Sequence, residues 1–160
     1  MAVYYFDSSA VVKRYVEEPG SIWIRQLCDQ HDPGTGEKLN LITIGEVTLV
    51  EVSAALAILV RRNILPRRFA ERAYRRFISD AQDEYELAQI TSASLLSAAS
   101  LAQRYPLKAY DAVQLSLALY ANTLLNADGL SLTLVSGDDQ LLQAAQAEGL
   151  STDNPFAHIL

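Results

Sequence analysis

Short apolar runs alternate along the chain with longer stretches of helical periodicity. Four brief, largely apolar runs predict β-strands at residues 2–6, 39–44, 87–90 and 131–136. The intervening sequence predicts helices at residues 9–17, 20–30, 46–63, 66–85, 92–104, 108–126 and 139–148, the last ending at Gly149. Strands joined by helices require crossover connections. The pattern therefore predicts an α/β fold, a three-layer α/β/α sandwich around a mainly parallel sheet, with "SLTLVS" as its last clear strand.

Composition favours one globular domain spanning residues 1–160. Half of the residues are apolar and a fifth are charged, which is ordinary for a globular protein. No apolar run approaches the roughly 18 residues of a membrane helix. The N-terminus also lacks the pattern of a signal peptide. The single cysteine, Cys28, excludes an intramolecular disulfide and a thiolate metal cluster, so we expect a cytoplasmic protein.

Charge is distributed unevenly along the chain. The net charge of −6 argues against a general binder of polyanions. However, seven of the thirteen Lys and Arg residues lie in "RRNILPRRFAERAYRR", residues 61–76, and none follows residue 109. Because nucleic-acid binding depends on local positive patches, this segment is a candidate contact surface. A solvated helix face explains the same run equally well.

Two carboxylates follow predicted strands directly. Asp7 comes after "VYYF" and Asp138 after "LTLVSG". In an open parallel sheet, active sites form outside the carboxyl ends of the strands, so both acids are expected at the same edge. Each is equally well explained as the N-cap of the helix that follows it.

Two further carboxylates interrupt apolar helical faces. Glu51 lies in "EVTLVEVSAALAILV" and Asp111 in "YPLKAYDAVQLSLALY", each on a stripe expected to face the core. An ionised carboxylate buried without a partner costs several kcal/mol or more. Neither stripe supplies a Lys or Arg, although a buried ion pair with another element stays an alternative.

Four acids at one sheet edge would repel one another, and a divalent cation would relieve that repulsion. Oxygen ligands suit Mg²⁺ or Mn²⁺. Zinc is disfavoured because there is one Cys, and because His31 and His158 lie in or near loops without ligand spacing and are expected at the surface. Such a site suggests phosphoryl chemistry, in which a metal lowers the pKa of a bound water and stabilises the departing oxyanion.

Four segments together resemble, in order, the four acidic motifs of PIN domains, and most closely those of the VapC-type toxins of prokaryotic toxin–antitoxin pairs. They are "YFDSSAVVKRYVEEPGS", "TLVEVSAALAILVRR", "YPLKAYDAVQLSLAL" and "LVSGDDQLLQAAQAEGL". The resemblance extends from Tyr5 to about Leu150, and the combination is more specific than any one motif. One departure is the turn-rich "HDPGTGEKLN" at residues 31–40, predicted to be a surface loop and longer than usual for the family.

The resemblance implies a Mg²⁺- or Mn²⁺-dependent endoribonuclease. Its metal and catalytic acids carry over to Asp7, Glu51, Asp111 and Asp138, with Glu51 either binding the metal or orienting the attacking water. Asp138 fits the spacing of the last motif, and Asp139 is the reserve. Ser9 and Lys13 match positions that are often polar or basic near the site. The family also implies a homodimer and a partner antitoxin that threads a segment over the active-site groove.

The RNA backbone is expected to contact the basic segment through Arg61, Arg62, Arg67 and Arg68.

Two other functions are weighed against this one. A haloacid-dehalogenase-like phosphatase also carries an Asp after its first strand, but it usually needs a second Asp two residues later, where this chain has Ser9. A receiver-like module that binds a cation without catalysis needs a Lys near the end of a later strand. The chain has none beyond Lys108.

Overall fold

A computed structural model describes residues 1–159 of the chain, which form five strands and seven α-helices. The strands are β1 (Ala2–Phe6), β2 (Asn40–Gly45), β3 (Glu86–Ala88), β4 (Leu132–Val135) and β5 (Ser151–Asp153). The helices are α1 (Ser8–Tyr15), α2 (Ser21–Asp29), α3 (Val47–Arg61), α4 (Arg67–Asp83), α5 (Ser92–Arg104), α6 (Ala109–Asn126) and α7 (Asp139–Ala147), followed by a short 3-10 helix at Pro155–His158. The predicted helices are confirmed to within one or two residues at nearly every end.

All five strands are parallel, in the order β3-β2-β1-β4-β5. Phe6, the last residue of β1, lies beside Ile44 on one side and Val135 on the other. The chain extends the sheet from β1 towards β3 and then returns to the other side of β1 for β4. A parallel sheet that reverses its order in this way opens a crevice at the carboxyl ends of its strands, where ligands bind.

Alternating side chains of β1 enter two separate cores, one on each face of the sheet. Phe6 packs with residues of α1 to α4, including the fully buried Ile24 and Phe77. Tyr5 points to the opposite face, where the core draws mainly on α5 to α7 and includes Leu115. Each fully buried side chain of this size contributes roughly 1.5–3 kcal/mol. The predicted three-layer arrangement is therefore confirmed.

A buried arginine ties α1 to its neighbouring helices. Only 4% of the Arg14 side chain is exposed. Its guanidinium lies 2.7 Å from Glu84, 3.3 Å from Asp29 and 3.5 Å from Asp80, and it donates a 2.9 Å hydrogen bond to the Tyr85 hydroxyl. Since α1 begins at the residue after Asp7, this cluster also fixes the helix that carries the first candidate site residue.

The end of the chain departs from the prediction. A fifth strand that the pattern did not predict, β5, follows α7 and pairs with β4 at the sheet edge. Its three residues, Ser151–Asp153, are polar and too few to show a strand pattern. His158, expected at the surface, is partly exposed, and its ring stacks on Trp23 with centroids 3.9 Å apart. His31 is exposed, as predicted.

The loop at residues 31–40 is largely exposed, as predicted, and it has local order. The Asp32 carboxylate accepts hydrogen bonds from the backbone N–H groups of Gly34 and Thr35, both at 2.8 Å. An isolated antiparallel bridge joins His31 to Lys38. In the described part of the chain, no helix has the length and apolar character needed to cross a bilayer.

Candidate active site

Asp7 lies at the carboxyl end of the central strand and is almost fully buried, with 4% of the residue exposed. Its Oδ1 accepts hydrogen bonds from the Ala10 backbone N–H at 2.9 Å and the Ser9 hydroxyl at 2.7 Å. Its Oδ2 accepts from the Ser136 hydroxyl at 2.6 Å. Asp7 is thus the N-cap of α1, and it remains a carboxylate held at the switch point of the sheet.

The second strand-end acid lies beside the first. Asp138 is the N-cap of α7, with Oδ1 accepting from the backbone N–H groups of Gln140 and Leu141. Its own N–H donates to Ser136 Oγ at 3.0 Å, so one serine hydroxyl connects the loop of Asp138 to the carboxylate of Asp7. The capping interpretation therefore holds for both acids. Capping occupies only Oδ1 of each acid, while Oδ2 of Asp7 accepts from Ser136.

Two residues around this loop were expected to be near the site. The Ser9 hydroxyl donates to Asp7 and accepts from the Gly137 N–H at 2.9 Å, which joins β1 to the loop after β4. Asp139, the reserve for Asp138, is exposed in the first turn of α7 and accepts from the Asn154 side-chain amide at 3.2 Å.

Glu51 is held by a buried hydrogen-bond relay. The Gln114 side-chain amide donates to Glu51 Oε1 at 2.7 Å and to Thr48 Oγ1 at 2.9 Å. The Tyr5 hydroxyl donates to the Gln114 carbonyl oxygen at 2.7 Å. A Cβ at Gly45 would lie 2.5 Å from that hydroxyl, so only glycine leaves room for the relay at the end of β2. Since Gln114 and Tyr5 are buried, the relay fixes the position of Glu51 from the core.

Asp111 lies in the first turn of α6 and is half-buried. Carboxylates are favoured there because the N-terminal end of a helix carries a partial positive charge. The predicted apolar stripe around Asp111 is confirmed in part, since Leu115 and Ala118 are buried. The stripe predicted around Glu51 is largely wrong beyond its first turn. Ala54 and Ile58 are exposed, and the core face of α3 passes through Val52 and Leu56.

Burial, together with neighbouring carboxylates, raises the pKa of Asp7, Glu51 and Asp111. Burial raises the pKa of Asp7 from 3.8 to about 6, against hydrogen bonds that favour its ionised form, and Asp111 adds to the increase. Burial likewise raises the pKa of Glu51, with further increases from the charges of Asp7 and Asp111. The pKa of Asp111 is raised first by burial and then by Asp138. The four acids thus share one region of unfavourable negative potential.

Within residues 1–159, none of the four acids has a Lys, Arg or His partner at ion-pair distance, so the alternative of a buried ion pair is not realised there. No three acid, histidine or cysteine side chains in the same residues lie close enough together to hold a metal ion as they stand. The donor chemistry nevertheless suits Mg²⁺ or Mn²⁺, since it consists of carboxylate oxygens whose repulsion a cation would relieve.

A cavity of about 660 Å³ opens beside the carboxylates, on the side of Asp138. Its walls include Ser9, Lys13, Asp138 and Phe156. Lys13, expected near the site, lines this cavity, but it is only 3% exposed and its ammonium pairs with Glu18 at 3.0 Å. The cavity therefore joins acidic, basic and aromatic groups.

The basic segment, residues 61–76, presents its arginines to solvent. Its arginines, all solvent-accessible, are Arg61, Arg62, Arg67, Arg68, Arg72, Arg75 and Arg76. It starts at the far end of the helix that carries Glu51, about 15 Å away at the helical rise per residue. A second cavity of about 510 Å³ between α3 and α4 is lined by Arg61, Arg67 and Tyr74, among others. The positive charge of this segment therefore begins about 15 Å from Glu51, too far away to pair with that carboxylate.

The sequence-based interpretation missed two residues that position the acids. Ser136 is fully buried and follows β4 directly, which is the same signal that identified Asp7 after β1. Gln114 lies three residues after Asp111 as a polar residue in an apolar helix, the pattern that identified Asp111 itself. Both signals were present in the sequence.

Comparisons with known proteins agree on the fold. The family model of the PIN domain matches residues 4–147. Similar solved structures include VapBC2 from Rickettsia felis bound to a DNA fragment from their promoter, with 15% identity, TM-score 0.59, and coverage of 95% of this chain and 98% of that chain.

Two further structures are similar to a comparable degree. PAE2754 from Pyrobaculum aerophilum has 18% identity, a TM-score of 0.58, and coverage of 94% of this chain and 83% of that chain. FitAcB from Neisseria gonorrhoeae has 14% identity, a TM-score of 0.57, and coverage of 96% and 98%. At these identities the likeness shows a shared fold. Comparison with curated protein sequences gave no match.

Proposed function

The chain belongs to the PIN domain family, and from this premise we propose that it is a Mg²⁺- or Mn²⁺-dependent endoribonuclease, the toxin of a toxin–antitoxin pair. PIN domains are generally nucleases and typically depend on a divalent metal. The observation that carries the proposal is the group of four carboxylates, Asp7, Glu51, Asp111 and Asp138, which repel one another and form no ion pair among residues 1–159. We further propose that residues 1–160 form a single domain.

We assign the following roles to the four carboxylates. Asp7, Asp111 and Asp138 hold the cation through their carboxylate oxygens. Glu51, fixed by Gln114, either joins them or accepts a hydrogen bond from the attacking water and so orients it. When bound, the metal would supply activation of that water and stabilisation of the departing oxyanion. Helix N-termini at three of these acids add favourable dipoles for an anionic substrate.

The substrate is proposed to be RNA, held by its phosphates. Exposed arginines neutralise the backbone and release counterions, which supplies most of the sequence-independent affinity. The candidates are Arg61, Arg62, Arg67 and Arg68. Because such contacts are electrostatic, RNA affinity should fall steeply with salt, and the slope should decrease by about one for each arginine removed.

A cleavage assay tests the proposed activity. Structured RNA is incubated with Mg²⁺ and with wild-type protein, Asp7→Asn or Asp111→Asn, and Asp83→Asn serves as the control at an exposed acid on α4. Both site variants should lose about 100-fold or more in rate, comparable with removal of one preorganised electrostatic contact. Equal cleavage by all four proteins would end the proposal.

We propose two protein partners for this function, a cognate antitoxin and a second copy of the chain. A cognate antitoxin is supported by the likeness to VapBC2 and FitAcB, and a small open reading frame immediately upstream that encodes a DNA-binding N-terminus would supply it. A homodimer is supported by apolar exposure on α5 and α6, where Leu96 is 74% and Tyr120 64% exposed. Light scattering should give twice the chain mass, and a monomer would contradict the dimer while leaving the nuclease assignment intact.

A further inference from the structure

Phe156 is an exposed aromatic residue in the wall of the cavity beside Asp138. It is 46% exposed although it carries no polar group. Solvent exposure of so large an apolar ring is unfavourable, and an aromatic ring presented beside a candidate catalytic group is a common arrangement for binding a flat ligand. The cavity opens beside the proposed catalytic carboxylates, but nothing in the proposed function uses this ring.

The segment that carries Phe156 is anchored on both sides. Before it, the Asn154 side chain caps the 3-10 helix by accepting from the Phe156 N–H at 3.0 Å. Pro155 is buried so tightly on Gly20 that a Cβ there would lie 2.6 Å from the proline carbonyl oxygen. After it, His158 stacks on Trp23 with an interplanar angle of 7°. These contacts fix the ring in advance, which lowers the entropy lost when a ligand binds.

The immediate surroundings of the ring suit a nucleotide. The Lys13 ammonium lies 4.2 Å from the ring centroid, within the range of a cation–π interaction. A Cβ at Gly137 would lie 3.0 Å from Phe156 Cε2, so the backbone next to Asp138 packs against the ring. An aromatic surface for a base and a carboxylate for the reaction thus lie together at one end of the cavity, and the buried Lys13, paired with Glu18, supports the ring.

We propose that Phe156 is a specificity-determining residue that stacks on a nucleobase of the RNA close to the scissile phosphate. The inference rests on the proposed ribonuclease function and names a contact that this function leaves open. Single-stranded RNA is recognised mainly by stacking of unpaired bases on aromatic side chains. The contact would therefore favour cleavage at unpaired nucleotides, such as loops, over helical RNA.

The competing structural role for Phe156 is to cover the Lys13–Glu18 ion pair from solvent. Two substitutions separate the roles. Phe156→Leu keeps an apolar cover but removes the flat ring, whereas Phe156→Trp keeps a ring able to stack. Thermal melting of both variants checks that the fold is retained, which is expected because the residue is exposed.

The test measures RNA affinity in a cleavage-silenced background. Asp111→Asn protein with Mg²⁺, with and without each Phe156 substitution, is titrated into a fluorescent ten-nucleotide RNA and into a ten-unit ribose-phosphate oligomer without bases. Phe156→Leu should weaken binding of the RNA by about fivefold or more, the effect of losing one base–aromatic stack, and leave binding of the base-free oligomer unchanged. Phe156→Trp should bind the RNA as the parent does.

Three results would overturn the inference. The Leu variant could bind the RNA as tightly as its parent, it could lose affinity equally for both oligomers, or the parent could bind no RNA. Cleavage by otherwise wild-type protein, measured in parallel, keeps the two proposals separate. If that protein cleaves RNA while Phe156→Leu has no selective effect, the stacking contact is wrong and the ribonuclease function stands.

Discussion

Replacing Asp7 by asparagine should stabilise the metal-free protein at neutral and higher pH, although Asp7 caps a helix. The native fold holds this carboxyl at a pKa of about 6, against 3.8 for an ordinary aspartate, chiefly because it is buried. At roughly 1.4 kcal/mol per pH unit, ionised Asp7 therefore costs the metal-free fold about 3 kcal/mol. Asparagine is isosteric, neutral and an equally good N-cap.

The sign of the pH dependence follows from the raised pKa. A carboxyl whose pKa is higher in the folded state than in the unfolded state favours folding when it is protonated. That contribution is complete below pH 3.8 and is lost as pH rises through about 6. Between pH 5 and pH 8, Asp7 alone should lower the free energy of unfolding by about 1.4 kcal/mol. The raised pKa values of Glu51 and Asp111 act in the same direction.

The loss of one hydrogen bond in Asp7→Asn opposes the expected gain in the free energy of unfolding. Ser136 Oγ donates to Asp7 Oδ2 and accepts from the Asp138 N–H. An asparagine amide facing Ser136 leaves that hydroxyl proton without its acceptor, at a cost of about 1 kcal/mol. The net stabilisation by Asp7→Asn is therefore about 2 kcal/mol at pH 8 and less than about 1 kcal/mol at pH 5.

Urea unfolding followed by circular dichroism in EDTA, at pH 5 and pH 8, measures this difference. Asp83→Asn, the same change at an exposed residue, should leave the free energy of unfolding unchanged at both pH values. The electrostatic reasoning is refuted if Asp7→Asn is less stable than wild type at pH 8, or if its effect is the same at both pH values. Either result would mean that capping and hydrogen bonding outweigh the cost of burying the charge.

Three further variants test the elements that position the site. Gln114→Met should lower divalent-metal affinity by about 10- to 100-fold, since it releases Glu51 from its buried donor, as measured by calorimetric titration with Mn²⁺. Gly45→Ala should destabilise the fold by about 1–3 kcal/mol in urea unfolding because its Cβ would lie 2.5 Å from the Tyr5 hydroxyl. Arg14→Ala should cost about 3 kcal/mol by the same method, since it leaves acidic side chains around a buried position without their cation.

Each of these predictions has a result that contradicts it. Unchanged Mn²⁺ affinity in Gln114→Met would show that Glu51 is not held for metal binding. A Gly45→Ala protein as stable as wild type would mean that the relay at the end of β2 has room to move. If the free energy of unfolding of Arg14→Ala lies within about 0.5 kcal/mol of the wild-type value, the ion pairs of Arg14 contribute as little as typical surface ion pairs.

The strand-end acids were predictable because a parallel sheet brings the ends of its strands together. Asp7 and Asp138 follow two apolar strands, and those strands, β1 and β4, are neighbours. Asp111 was identified by a different signal, an acid in an apolar helical face, and its core-facing stripe is confirmed in part. The family match over residues 4–147 agrees with the motifs that suggested it.

Some features of the structure depend on tertiary contacts, which the local sequence pattern does not indicate. The face of α3 around Glu51 was misassigned beyond its first turn because the Ala and Ile residues there are exposed or half-buried, although their apolar side chains suggest burial. The three polar residues of β5 form a strand only because β4 offers an edge to pair with. Phe156 and Trp23 are far apart in sequence from the residues they contact, Lys13 and His158 among them, so no local pattern indicates those contacts.

Binding of Mn²⁺, followed by electron paramagnetic resonance without RNA, tests most directly whether the four carboxylates form one metal site. Wild-type protein and Asp83→Asn should bind Mn²⁺ with the same affinity. Asp7→Asn and Asp111→Asn should each bind at least about tenfold more weakly, since each removes a charged ligand. Equal Mn²⁺ affinity in all four proteins would contradict the account, because these carboxylates would then not act together on a cation.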